Sequence, residues 1–322
     1  VNLIGEHTDY SGGLVLPVAI QLGIELLAGP ADRIALVSKG EEVELAPDGT
    51  GAPSGWGRYV AAVAKELAEL GRPAIGLEGV VEADLPCGAG LGSSGALEVV
   101  VAIALCSVAD FELDLLELAL ACQRAEQRAV GVPSGILDQA ASLLGRKGRA
   151  LLLDCGTLEP RWVELPRQLA ILVVDSGEPH SHEGSGYADR RSELEAGDPQ
   201  RVRHVVTENE RVRETVDVLE RNDLDALGSL LLASHASLRD EYEVSTPTLD
   251  AVAAAALDAG ALGARMTGGG FGGSVVAFAE RDDADAVLRG MLERAGAQGW
   301  IVEASDGASR RRRGSLPGRA GP

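Results

Sequence analysis

Strands and helices that alternate without a regular βαβ rhythm predict an α+β chain, and a change of texture near residues 165–185 predicts two domains. The length of 322 residues agrees with that count, and a composition that is 45% hydrophobic can bury a large core. Aromatics make up only 3%, so the core is expected to be aliphatic and alanine-rich. The expected domains are 1–166 and 167–310, with 311–322 a basic, disordered tail.

The elements follow in order. Residues 1–4 and 14–20 read as strands flanking a polar turn, EHTDYSGG. RIALVS and EVELAP read as strands, WGRYVAAVAKELAEL as an amphipathic helix stopped by Gly71 and Pro73, and AIGLEGVVEADLP as a further strand. The loop PCGAGLGSSG opens an apolar helix at 96–108. A second helix covers about 114–130, and a third starts near Ser134. ALLLDC, RWVEL and AILVVDS are three strands, and long polar helices fill about 187–240. TPTLDAVAAAALDAG is helical, and ARMTGGGFGGSVVAFAE reads as strand, glycine turn, then strand or helix.

Charge and composition exclude whole classes of function. A net charge of −20 repels nucleic acid and anionic membrane, so no role on either is expected. The run 99–106 is far too short to span a bilayer, and no basic-then-apolar leader opens the chain. The four cysteines, at 87, 106, 122 and 155, have no C-x-x-C spacing, which fits a reduced, cytoplasmic protein.

The loop at 86–95 carries the first chemistry. Its glycines permit positive φ and let a ligand approach the backbone, and the helix behind it offers free N–H groups and a positive dipole end. The pattern reads either as a phosphate cradle, with Ser93 and Ser94 near phosphate or metal, or as a tight turn with a serine cap. It is not a Walker A loop. Its G-x-G-x-x-G match is cheap, because GGGFGG at 268–273 matches too, and the strand that a dinucleotide fold requires after the helix is missing.

Two carboxylates stand out. Glu126 falls on the apolar row of its helix, where it either reaches water or an arginine at the edge or meets a metal. With a serine hydroxyl it would supply the one or two protein oxygens that Mg²⁺ takes beside phosphates. Asp138 sits at a helix start, where the dipole keeps a carboxylate ionised, and Gly135 leaves space beside it. It is either an ordinary helix-start aspartate or a group placed to accept a proton from a substrate hydroxyl. His180-x-His182 reads as a surface loop, and His204 and His235 carry no motif.

VNLIGEHTDYSGGLVLPVAI, LPCGAGLGSSGALEV, CQRAEQRAVGVPSGILDQAAS, DEYEVSTPTLD and MTGGGFGGSVVAF together resemble the galactokinase branch of the GHMP small-molecule kinases, over about 1–310. The resemblance implies a domain like the second domain of ribosomal protein S5 at 1–166 and a ferredoxin-like domain at 167–310, with the site between them. It implies transfer of the γ-phosphate of MgATP to the C1 hydroxyl of α-D-galactose, by a chain expected to act as a monomer. Asp138 would be the base. Glu6, His7, Thr8, Asp9 and Tyr187 would contact the sugar, and Gly88, Ala89, Gly90, Leu91, Gly92, Ser93, Ser94, Ser38 and Trp56 would approach ATP. Ser94 and Glu126 would hold Mg²⁺. The family's usual GLSSSA is GLGSSG here, so one hydroxyl is missing at Gly92 and Gly95 adds flexibility, with Ser94 kept in register. In that family an arginine ends the strand before VNLIGEHTDY, and the start here reads as truncated by that residue. The alternatives are a kinase for N-acetylgalactosamine or L-arabinose, and a non-catalytic sugar and ATP sensor.

Overall fold

The computed structural model describes residues 1–86, 89–131, 133–178, 186–295 and 297–310. Cys87, Gly88, the His180-x-His182 segment and the basic tail at 311–322 lie outside them.

The opening segment lies against residues 14–18. Leu3 N donates to Leu16 O (3.1 Å) and Leu16 N to Ile4 O (3.1 Å), but only the Asn2–Pro17 pair forms a bridge. Two long strands were expected here, and the regular strand β1 shrinks to Leu14–Val15. Pro17 has no N–H to continue a ladder, which accounts for the difference.

The first large sheet is built from β2 (Ile24–Ala31), β3 (Ile34–Ser38), β4 (Glu41–Leu45) and, after α1 (Gly57–Glu69), β5 (Gly76–Ala83). Its order is β2-β5-β3-β4, with β3 and β5 parallel and the other neighbours antiparallel. The sequence reading missed β2, whose IELLAGPA ends in Gly-Pro-Ala and alternates between half-buried and exposed positions. Against this sheet pack α1, α2 (Ser93–Val108), α3 (Leu115–Val130) and α4 (Leu137–Leu144), around Val63, Leu67, Val99, Leu105 and Leu118. Asp114 caps α3 by accepting from Leu116 N (2.8 Å) and Glu117 N (2.9 Å).

Next, β6 (Arg149–Asp154) and β7 (Pro160–Glu164) join β1 in a small sheet. The last sheet is antiparallel. It holds β8 (Leu169–Asp175), then, after α5 (Tyr187–Glu195), α6 (Pro199–Arg221), α7 (Leu224–Asp240) and α8 (Pro247–Asp258), the strands β9 (Gly263–Thr267) and β10 (Ser274–Glu280). Helix α9 (Ala284–Arg294) and β11 (Gln298–Val302) close it, and neither was read from sequence. The order β11-β8-β10-β9 is that of a ferredoxin-like sheet. The α+β expectation is met.

Strand β8 explains why its sequence is apolar throughout. Ala170, Leu172 and Val174 pack with residues of α8 and α9, including Leu249 and Val287. Ile171 and Val173 pack with Leu3, Ile4 and Val212 on the other face. The strand is therefore buried on both sides, and it joins the opening segment to the second half of the chain.

Candidate active site

Two glycine turns meet where the halves join. The loop before α2 runs through Ala89 to Gly92, and the turn between β9 and β10 covers 268–273. Ser274 Oγ donates to Ala89 O (2.7 Å), which fastens one to the other. A Cβ on Gly268, whose φ is +87°, would lie 3.1 Å from Gly90 O, so the backbones stack too closely for a side chain. The cleft beside them has a volume of about 720 Å³.

Helix α2 starts with Gly92 in the left-handed region (φ 68°) and has no side-chain cap. Its first N–H groups therefore face the cleft without a protein acceptor from that residue, which suits an anion. Ser93, Ser94, Gly90, Leu91 and Gly92 all line the cleft. Ala89 is buried, and Ser38 and Trp56 also line the cleft. Gly88 lies outside the described residues.

Asp138, in the first turn of α4, packs on this loop. A Cβ on Gly92 would sit 2.8 Å from Asp138 Cγ, and one on Gly95 would sit 2.8 Å from Asp138 Cβ. The glycines that make room for Asp138 are thus 92 and 95, and Gly95 fills a close contact where flexibility was expected. Gly135, expected to leave space for Asp138, serves Asp9: its Cβ would lie 1.5 Å from Asp9 Oδ2. The helix dipole expected to keep Asp138 ionised is opposed by its surroundings. Burial and the nearby Glu126 charge push its carboxyl up to about 6. Burial, with the charge of Asp138, pushes Asp9 up to about 7.

On the metal side, Ser94 Oγ donates to Glu126 Oε1 (2.8 Å). Among the described residues no cluster of three or more His, Cys, Asp or Glu side chains could hold a metal alone. One hydroxyl and one carboxylate at the mouth of an amide-rich loop do fit Mg²⁺, which takes few protein oxygens and completes its shell with phosphates and water.

The polar turn at the start of the chain divides its labour. His7 adopts a positive φ of 62° and lines the cleft with Asp9. Its Nδ1 is 2.8 Å from Tyr10 Oη, which is 2.8 Å from Tyr242 Oη. The His7 ring centroid lies 4.7 Å from that of Tyr242 and 5.5 Å from that of Tyr187, the first residue of α5. Thr8, expected to contact a ligand, does not line the cleft: it is buried, with Oγ1 at 2.9 Å from Gly5 O and 2.7 Å from Leu14 O. It fastens the turn.

Glu6 lines the cleft too, but its carboxylate is engaged. Oε2 accepts from Asn2 Nδ2 (2.6 Å) and from Arg265, and Oε1 accepts from Thr267 Oγ1 (3.0 Å) and Gly268 N (2.9 Å). Four donors match the roughly four lone-pair sites of an ionised carboxylate. Glu6 therefore braces the second glycine turn. Arg265, Glu208, Gln139 and Glu98 were all missed from sequence. A lone arginine in an otherwise small and apolar strand, and a lone glutamate inside the apolar stretch of α2, were the signals available.

Residues 1–30 match the galactokinase galactose-binding signature, 58–146 the GHMP kinases N terminal domain and 215–298 the GHMP kinases C terminal domain. A galactokinase of Streptomyces coelicolor is 38% identical over 97% of this chain and 92% of its own length. The crystal structure of Lactococcus lactis galactokinase complexed with galactose matches with a TM-score of 0.87 at 32% identity, over 96% of this chain and 92% of that one. The L. major mevalonate kinase structure matches with a TM-score of 0.73 at 23% identity, over 96% of this chain and 94% of that one, a likeness of fold.

Proposed function

The chain belongs to the galactokinases of the GHMP kinase family, and from that premise we propose that it phosphorylates the C1 hydroxyl of α-D-galactose at the expense of MgATP. The observation that carries the reading is the packing of Asp138 against Gly92. It puts a carboxylate raised to about 6 beside a helix start suited to phosphate. A base must lie within reach of both the acceptor hydroxyl and the phosphoryl group, and the packing of Asp138 on the start of α2 meets that requirement.

In this reading the C1 oxygen attacks the γ-phosphorus, the bond from that phosphorus to the β–γ bridging oxygen breaks, and the hydroxyl proton passes to Asp138. His7, Asp9 and Tyr187 grip the sugar. Asp9 offers two acceptor oxygens, and the aromatic faces exclude water. Glu6 holds the Gly268 turn in place, and Thr8 holds the backbone that carries His7 and Asp9. The amides at Gly90 to Ser94 receive the triphosphate, with Ser38 and Trp56 toward the base. Ser94 and Glu126 would hold Mg²⁺, which when bound neutralises phosphate charge. Phosphoryl transfer has a loose transition state, so positioning and charge neutralisation dominate and the base adds to them.

The test is substrate consumption read by phosphorus NMR with galactose, N-acetylgalactosamine and L-arabinose in parallel. Galactose 1-phosphate as the main product is expected. Strong turnover of either other sugar with none of galactose would overturn the choice of substrate. Tight binding of sugar and ATP with no transfer would favour a sensor.

A further inference from the structure

Gln139 directly follows the proposed base and is fully buried. Its Nε2 donates to Glu126 Oε2 (3.1 Å) and to Glu98 Oε2 (2.8 Å). The other oxygen of Glu126 accepts from Ser94 Oγ (2.8 Å). One amide thus spans two carboxyls, and one of those carboxyls belongs to the pair that faces the phosphate loop. We infer that Gln139 is a positioning residue that holds Glu126 toward Ser94, and that Glu98 acts through Gln139 by fixing its amide. This rests on reading Ser94 and Glu126 as the metal pair.

The chemistry of Glu98 supports its part. It lies four residues after Ser94 on α2, is fully buried, and forms no ion pair with an arginine or lysine among the described residues. An isolated charge there would be costly. Burial, with the charge of Glu126 nearby, pushes its carboxyl well above the usual range. A neutral Glu98 has one O–H to give, and Gln139 Oε1 is a buried acceptor with no donor, as is Glu98 Oε1. A hydroxyl given to the amide oxygen would keep the amide nitrogen facing Glu126. Glu126 is then held at both oxygens, one by Ser94 and one by Gln139. Groups that orient a metal ligand from behind commonly change metal affinity by about 10–100-fold when removed.

The experiment titrates Mn²⁺ in the presence of ADP, followed by water-proton relaxation, on the full chain and five variants. Gln139→Leu and Glu98→Leu are expected to bind Mn²⁺ about tenfold more weakly, with galactose affinity by calorimetry unchanged. Glu98→Gln keeps a neutral donor in place and is expected to bind Mn²⁺ within about twofold of the parent. Should Gln139→Leu fail to fold, Gln139→Asn, one methylene too short to span both carboxyls, is expected to show the same loss. Parent-like Mn²⁺ binding in the Gln139 and Glu98→Leu variants, with binding lost in Glu126→Ala, would overturn this inference alone. Parent-like binding in Glu126→Ala would overturn the metal reading and this inference with it. Equal weakening in Glu98→Gln and Glu98→Leu would remove Glu98 from the device.

Discussion

Arg265 on β9 and Glu6 in the opening turn form an ion pair with almost no exposure, 0% for the arginine and 3% for the glutamate. The same guanidinium donates to Leu3 O (3.0 Å) and Ser234 Oγ (3.1 Å), and stands 4.0 Å from Glu208. Glu208 accepts in turn from Gly5 N (3.0 Å), Ser234 Oγ (2.7 Å) and Arg211. One cation therefore ties the start of the chain to the ferredoxin-like sheet and to α6 and α7.

That arrangement predicts a large, asymmetric penalty. Arg265→Met deprives two buried carboxylates of their shared partner, and breaking one side of a buried pair typically costs about 3–5 kcal/mol. Chemical denaturation of the variant is expected to fall in that range. A loss below about 1 kcal/mol would mean that the network is dispensable for folding.

The contact of Gly135 with Asp9 predicts a loss of function without a general loss of fold. A methyl at 135 would sit 1.5 Å from Asp9 Oδ2, so the carboxylate must move. A displacement near 1 Å at a reacting site can cost about 100-fold, and Gly135→Ala is expected to lower kcat/KM for the sugar by about that factor. Gly23 is the control: a Cβ there meets nothing within 4 Å. Gly23→Ala should leave the kinetics unchanged. A Gly135→Ala variant that matches it would remove Asp9 from the sugar site.

Asp138→Ala isolates the base. General acid–base groups contribute about 10²–10⁴-fold, and the loss is expected in kcat, with the dissociation constant for galactose by calorimetry little changed. Kinetics comparable to the parent would end the assignment.

What could be read from the sequence was local. The glycine loop with its serines, the helix-start aspartate and the glutamate on the α3 stripe each show themselves within a few residues, because turn chemistry and helical period are short-range signals. The bracing roles of Thr8 and Glu6 could not be read. A polar residue at a strand end serves equally for a ligand or for the fold, and the difference lies in partners such as Thr267 and Gly268 from the far end of the chain. The same distance hid Arg265 and Glu208. Strand β2 was hidden by Gly29 and Pro30 at its edge, and the rise in the Asp138 carboxyl could not be read because the burial that causes it is set by the fold.

The raised carboxyls predict how the protein answers to pH. Asp138 at about 6 and Asp9 at about 7 both lie above their ordinary value of 3.8. The proton must be off Asp138 for it to act as base, so kcat/KM should fall on the acid side with an apparent midpoint near these values. Stability runs the other way. A carboxyl raised by folding takes up a proton as the chain folds, so its contribution is fully present below the unfolded value and fades as pH rises through the folded one. The acid limb that these two carboxyls give to activity is therefore not unfolding; burial lowers His204 and His235 from their ordinary value of 6.5, so their share of stability fades as pH falls below it, and circular dichroism recorded beside the rate separates the two effects. By the sign that holds for raised carboxyls, Asp9→Asn removes the ionised group whose burial is most costly above pH 7, and should melt higher than the parent at about pH 8, with the advantage shrinking as pH falls. Its galactose affinity should fall at the same time. An Asp9→Asn variant that melts lower at about pH 8 and holds its advantage only in acid would show that the carboxylate is stabilised where it stands, and that the strain assigned to it does not exist.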